Sequence, residues 1–107
     1  VDLALRVDLD DRPRQIHDPE HGVEALTEWR VLARTAGRTR VALFPRTGRT
    51  HQLRVHAAHA LGIGAPIVGD RLYGRGGDQR LLLHAEAIAF VHPHTGDRIQ
   101  LERLAPF

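Results

Sequence analysis

The sequence predicts an α+β fold: a largely antiparallel or mixed sheet of five or six strands with one main helix packed on it. Three observations carry this expectation. Two alternating stretches between Glu24 and Phe44 are joined by a short turn containing Gly37, the pattern of a hairpin. Helical spacing of apolar residues is seen only from His51 to about Leu61. After it, apolar residues return at 81–91 and 99–101 with turn residues between them.

Taken in order, residues 1 to about 22 read as an irregular acidic lead-in, with turns near Pro13 and at His17-Asp18-Pro19-Glu20-His21-Gly22. From Glu24 to Arg34, Trp29, Val31 and Ala33 alternate with Glu28, Arg30 and Arg34, which is strand period. Thr35-Ala36-Gly37-Arg38 turns the chain into a second strand, Thr39 to Phe44, which Pro45 ends. Arg46-Thr47-Gly48-Arg49 is then a loop, and Thr50 stands where a helix N-cap would accept an early backbone N–H. Leu53, Ala57, Ala60 and Leu61 form the apolar stripe of the helix, and Gly62 and Gly64 end it. The segment Leu81–Val91, long and mostly apolar, is expected to be a central strand covered on both faces. His92-Pro93-His94-Thr95-Gly96-Asp97 turns it back toward Ile99 and Leu101.

Composition narrows the function. With 107 residues the chain is the size of one small domain. It has no apolar run of eighteen residues, so no spanning helix is expected, and no secretory leader is visible. Zero Cys excludes disulfides, thiolate nucleophiles and zinc–sulfur sites, and fits a reducing cytoplasmic setting. Because the chain opens at Val1-Asp2-Leu3 without Met, a piece of a longer protein is expected. All fifteen basic residues are Arg. Residues 1–28 carry eight acids and three Arg, whereas residues 29–69 carry seven Arg and no acid. Such a block is a footprint for a polyanion, and equally the solvated face of ordinary strands.

The run Thr47-Gly48-Arg49-Thr50-His51-Gln52-Leu53-Arg54-Val55-His56 concentrates unusual chemistry where a loop enters a helix. Arg49 is placed to reach a phosphate, and Arg54 lies off the apolar stripe, where it could line a cleft. An anion site and a plain exposed basic helix start both fit. His51, His56, His59 and His84 lack the spacing of a metal site, so no metal is expected. His84 reads as a satisfied core histidine. No Ser or Cys is present to act as a nucleophile, and no paired carboxylates suit glycoside chemistry. Asp70, the carboxylate nearest the run, sits in a turn that argues against a nucleophile.

The segment Ala42–Ala87 resembles the RluA-type family of RNA pseudouridine synthases. The blocks that carry the likeness are Leu43 to His56, Pro66-Ile67-Val68-Gly69-Asp70-Arg71-Leu72-Tyr73-Gly74 and Arg80-Leu81-Leu82-Leu83-His84-Ala85, followed by His92 to Gly96 and Pro106-Phe107. Weaker likeness reaches upstream through Arg12-Pro13 and Gly22 to Thr27. The resemblance implies part of the pseudouridine synthase catalytic fold, and a full-length enzyme that isomerises uridine in structured ribosomal or transfer RNA without a cofactor. The target nucleotide is flipped out, its N-glycosidic bond is broken, and the base is rejoined through carbon.

The essential Asp of that family lies in a His-Arg-Leu-Asp type motif, absent here, so the resemblance puts it upstream of Val1. It makes residues 1–107 the C-terminal portion of the catalytic domain, inactive alone. It makes Arg54 the partner of that Asp, and Arg46, Thr47, Arg49, Thr50, His51 and Gln52 RNA contacts. Leu82 and Leu83 would contact the base through their backbone, although a Leu triplet on a buried strand is also simple core. Without its Asp, Arg54 should be solvated or re-paired, with Asp70 and Glu86 as candidates. The segment Ala57–Ala65 is a few residues longer than the commonest family form, which predicts a longer loop after the helix. The alternative reading is a non-catalytic RNA-binding module using the Arg30–Arg54 surface.

Overall fold

The computed structural model describes residues 1–107, and its architecture is α+β with six strands and one helix. The strands do not join into one sheet. They form three separate two-stranded antiparallel ladders. Strand β1 (Leu5–Val7) pairs with β2 (Gln15–His17), β3 (Thr27–Thr35) with β4 (Arg38–Pro45), and β5 (Ala87–Val91) with β6 (Arg98–Glu102), with helix α1 (Gln52–Ala58) between the second and third pairs in the chain.

The lead-in departs from the irregular segment predicted. Leu3 and Leu5 alternate with polar or small neighbours and are buried, so the period of two was present but short. Residues 1–5 also run antiparallel to 23–27: Leu5 N–H donates to Val23 O (2.9 Å), Val23 N–H to Leu5 O (2.7 Å) and Thr27 N–H to Val1 O (2.8 Å). The expected hairpin is present. Ala36 (φ 42°) and Gly37 (φ 77°) are both left-handed, the two-residue turn whose twist matches paired strands. A register shift between Val31 and Ala33 leaves Leu32 out of the ladder.

Two further expectations are corrected. The helix spans two turns, not three, and its buried face is Gln52, Val55, His56 and Ala57. Ala60 and Leu61 are exposed. Apolar spacing misplaced the stripe because two polar residues of the inward face are buried through hydrogen bonds. Second, residues 81–86 lie outside any strand, and β5 is exposed throughout. Ile88 and its cross-strand partner Leu101 are 58% and 56% exposed, so the central, doubly covered strand is not formed by this chain.

The core sits where β1, the segment before β3, and α1 meet. Leu5, Ala25 and Val55 pack together, with Tyr73 against them. This places the arginine-bearing run directly over the N-terminal segment.

Candidate active site

The loop that enters α1 is held by a chain of buried polar contacts. Thr47 Oγ1 accepts from Leu26 N–H (3.0 Å) and donates to Gln52 Oε1 (2.7 Å), which also accepts from Arg49 N–H (3.0 Å). Gln52 Nε2 donates to Leu26 O (3.0 Å) and to Thr27 Oγ1 (2.9 Å). Thr27 therefore gives its own proton to His56 Nδ1 (2.8 Å), leaving Nε2–H of His56 to donate to Leu3 O (2.9 Å). Every buried side-chain nitrogen and oxygen in the chain has a partner. Burial of this network is tolerable because it is complete; a single missing member would leave desolvated groups unpaired.

Thr50 is not the N-cap. That position is taken by His51, in the left-handed region (φ 55°, ψ 16°) with no side-chain cap. The left-handed backbone turns the His51 ring toward Tyr73, and Nδ1 lies 2.8 Å from the Tyr73 hydroxyl. Since that hydroxyl accepts from Gln15 N–H (2.8 Å), its proton goes to a neutral His51. Burial, then the Arg54 charge, lowers the His51 pKa and favours that neutral form. With seven residues, α1 is too short to present the helix-start anion site that the run suggested. Charge recognition falls to guanidinium groups.

Arg54 carries the strongest of these. Its Nε donates to Asp70 Oδ2 (2.9 Å) and its Nη2 to Asp70 Oδ1 (2.7 Å), a bidentate pair. The Arg54 side chain is 21% exposed and that of Asp70 is fully buried. Asp70 Oδ1 also accepts the backbone N–H of Leu72 and of Tyr73, each at 3.0 Å. Burial pushes this carboxyl up, but the Arg54 bonds and the two backbone N–H groups outweigh it and hold its pKa at about 2. The Arg54 guanidinium stands 5.2 Å from the Tyr73 ring centre, and that of Arg14 stands 5.3 Å from it. Arg14 also donates to Leu72 O, tying the lead-in to this loop.

Arg54 opens onto a cleft of about 510 Å³ that Arg71, Arg80, Gly69 and Leu81 also line, with Asp78 its one carboxylate. Gly69 is required at the back of this cleft: at φ +86°, a Cβ there would lie 2.0 Å from Arg80 O. The close approach lets Leu82 N–H donate to Val68 O (2.9 Å), while Leu83 N–H and the Leu82 carbonyl have no partner within the chain.

The predicted residues thus fall into groups. Arg54 is on the cleft, and Leu82 and Leu83 follow a cleft residue without lining it. Arg46 and Arg49 lie elsewhere and are exposed: Arg46 is paired with Glu28 (2.6 Å), and Arg49 Nε donates to Glu24 O (2.7 Å). Thr50 is exposed, His51 is half-buried, and Thr47 and Gln52 spend their polar atoms inside the protein. Sequence reasoning offered Asp70 only as a candidate partner of Arg54, and did not select Tyr73, Arg71 or Arg80 as site residues. The signal for Asp70 and Tyr73 was local: an Asp followed two and three residues later by N–H groups it can accept is an Asx-type turn.

The site is thus an arginine-lined open cleft beside a guanidinium fixed on one edge, a geometry able to take an anionic group. The family model described as RNA pseudouridylate synthase matches residues 3–59. Over the whole chain, the protein is 45% identical to the dual-specificity RNA pseudouridine synthase RluA of Escherichia coli (strain K12), covering 50% of that relative. It is 41% identical to the RluA protein of Haemophilus influenzae, again over the whole chain and 50% of the relative. Against that of Pasteurella multocida it is 48% identical over 89% of this chain and 44% of the relative. The chain belongs to the RNA pseudouridylate synthase family. It spans about half the length of the curated relatives it matches.

Proposed function

We propose that residues 1–107 are the C-terminal portion of the catalytic domain of a pseudouridine synthase that isomerises uridine in structured ribosomal or transfer RNA in the cytoplasm. The other half of the domain precedes this chain and supplies the essential carboxylate. The observation that carries the reading is Arg54: one edge of its guanidinium is bound by Asp70, its Nη1 has no protein partner, and it opens on a basic cleft. A carboxylate brought to that cleft would be oriented and kept ionised by a charge that never titrates.

The other residues divide by what they can reach. Arg46, Arg49 and Thr50 are exposed and suit phosphate contacts, and the half-buried His51 beside them is tied to the Tyr73 hydroxyl. Thr47 and Gln52 support RNA contact by fixing the loop that carries Arg49. The free Leu83 N–H and Leu82 carbonyl suit the edge of a flipped uracil, which offers both acceptors and a donor.

Two variants of the full-length protein test the split. Arg54→Ala is expected to lose pseudouridine formation by on the order of a thousandfold or more with little change in RNA affinity, as expected for an interaction made at the reacting centre. Arg49→Ala should weaken RNA binding and reduce the slope of log affinity against log salt by about one. Equal affinity losses in both, with rates intact, would reject the assignment.

A further inference from the structure

Asp70 is the one fully buried carboxylate of the chain, and nothing in the packing of the loop explains why a charge is needed there. Its backbone turn would be served as well by an amide oxygen, because Leu72 and Tyr73 N–H both bond to Oδ1. The second oxygen, Oδ2, serves only Arg54 Nε. We propose that Asp70 is a positioning residue for Arg54, holding the guanidinium by its Nε/Nη2 edge and so fixing where Nη1 meets the carboxylate of the other half. This rests on the reading of Arg54 given above.

The geometry supports a positioning role over a simple ion pair. Arg54 sits on a helix with a long flexible stem, so its head group needs a second restraint to hold one orientation. Two are provided. Asp70 fixes the edge through two hydrogen bonds, and the Tyr73 ring, 5.2 Å away, limits the swing of the guanidinium. The same Oδ1 that grips Nη2 accepts Tyr73 N–H, so both restraints are set by a single carboxylate. Asp70 itself is enclosed, with both oxygens engaged, and cannot reach a substrate.

The test is a double-mutant cycle in the full-length protein, reading single-turnover pseudouridine formation and RNA affinity for Asp70→Asn, Arg54→Lys and the double variant. Asparagine keeps the Oδ1 acceptor but turns an N–H donor toward Arg54 Nε. Asp70→Asn is expected to slow the chemical step by on the order of 100-fold, the loss typical of a displaced catalytic group, with RNA affinity unchanged. In the Arg54→Lys background it should add no further loss, because its effect passes through Arg54. A full rate for Asp70→Asn, or losses that multiply in the double variant, would overturn the proposal. Should Asp70→Asn melt below the assay temperature, Asp70→Glu, which moves the charge by one methylene, enters the same cycle with the same expectations. If instead Arg54→Ala keeps its activity, it is the reading of Arg54 that fails.

Discussion

His56 shows how a polar side chain can be a core residue. It has no exposed surface, and both ring nitrogens are used, by Thr27 and by Leu3 O. Burial holds its pKa below the ordinary value, and His17 acts in the same direction, while the Leu3 carbonyl and Asp2 oppose. A folded-state pKa below the unfolded one means that the unfolded chain binds the extra proton. The stability this group contributes is therefore complete above about pH 6.5 and is lost as pH falls through the folded value. Urea unfolding of the full-length protein between pH 8 and 5 should show this slope, and His56→Gln should flatten it while lowering stability at pH 8. An unchanged slope would reject the assignment. Asp70 acts with the same sign but lower, between about pH 4 and 2, so the two windows separate.

At the scale of elements, the start of α1 depends on one unusual residue. His51 is a non-glycine in the left-handed region, and its bond to Tyr73 helps offset that conformation. His51→Gly should keep the helix start, whereas a β-branched residue there costs about 1–2 kcal/mol or more. Thermal melting of His51→Gly and His51→Val in the full-length protein checks this; equal stability in the two would refute it. The hairpin and the helix were legible in the sequence because alternation and the Ala36-Gly37 turn are local signals. The pairing of residues 1–5 with 23–27 was not, since it joins two five-residue segments with only four and three apolar positions. The helix face was misread for a related reason. Gln52 and His56 look solvent-facing until Thr27, far away in sequence, satisfies them. Arg54 was legible through resemblance, and its partner Asp70 was one of two candidates. Local spacing could not choose between Asp70 and Glu86, because loop closure at Gly69 decides it.

As a whole, the chain covers little of its apolar surface. Its accessible area is 7875 Å², where a compact protein of 12.0 kDa exposes about 6,000 Å². The radius of gyration is 15.4 Å, against about 13 Å for a compact domain of this length. Phe90, Ile88 and Leu101 on the β5–β6 ladder, and Trp29 on β3, are all exposed. Under the function proposed above, the preceding half of the domain covers these faces. The isolated 107-residue chain should then bind a hydrophobic dye strongly, unfold with a shallow transition and make no pseudouridine on any RNA. Turnover by the isolated chain would place a catalytic carboxylate within it and overturn the proposed division of the domain.

The polar chain running from Thr47 through Gln52 and Thr27 to His56 and Leu3 also bears on protein engineering. The decapeptide Thr47–His56 looks like a portable cassette, yet three of its side chains are completed by partners at Leu3, Leu26 and Thr27. Grafted onto a foreign scaffold without those partners, it would bring orphaned donors and acceptors into an interior. The smallest transferable unit is therefore discontinuous, the decapeptide together with the backbone at Leu3 and Leu26 and the Thr27 hydroxyl.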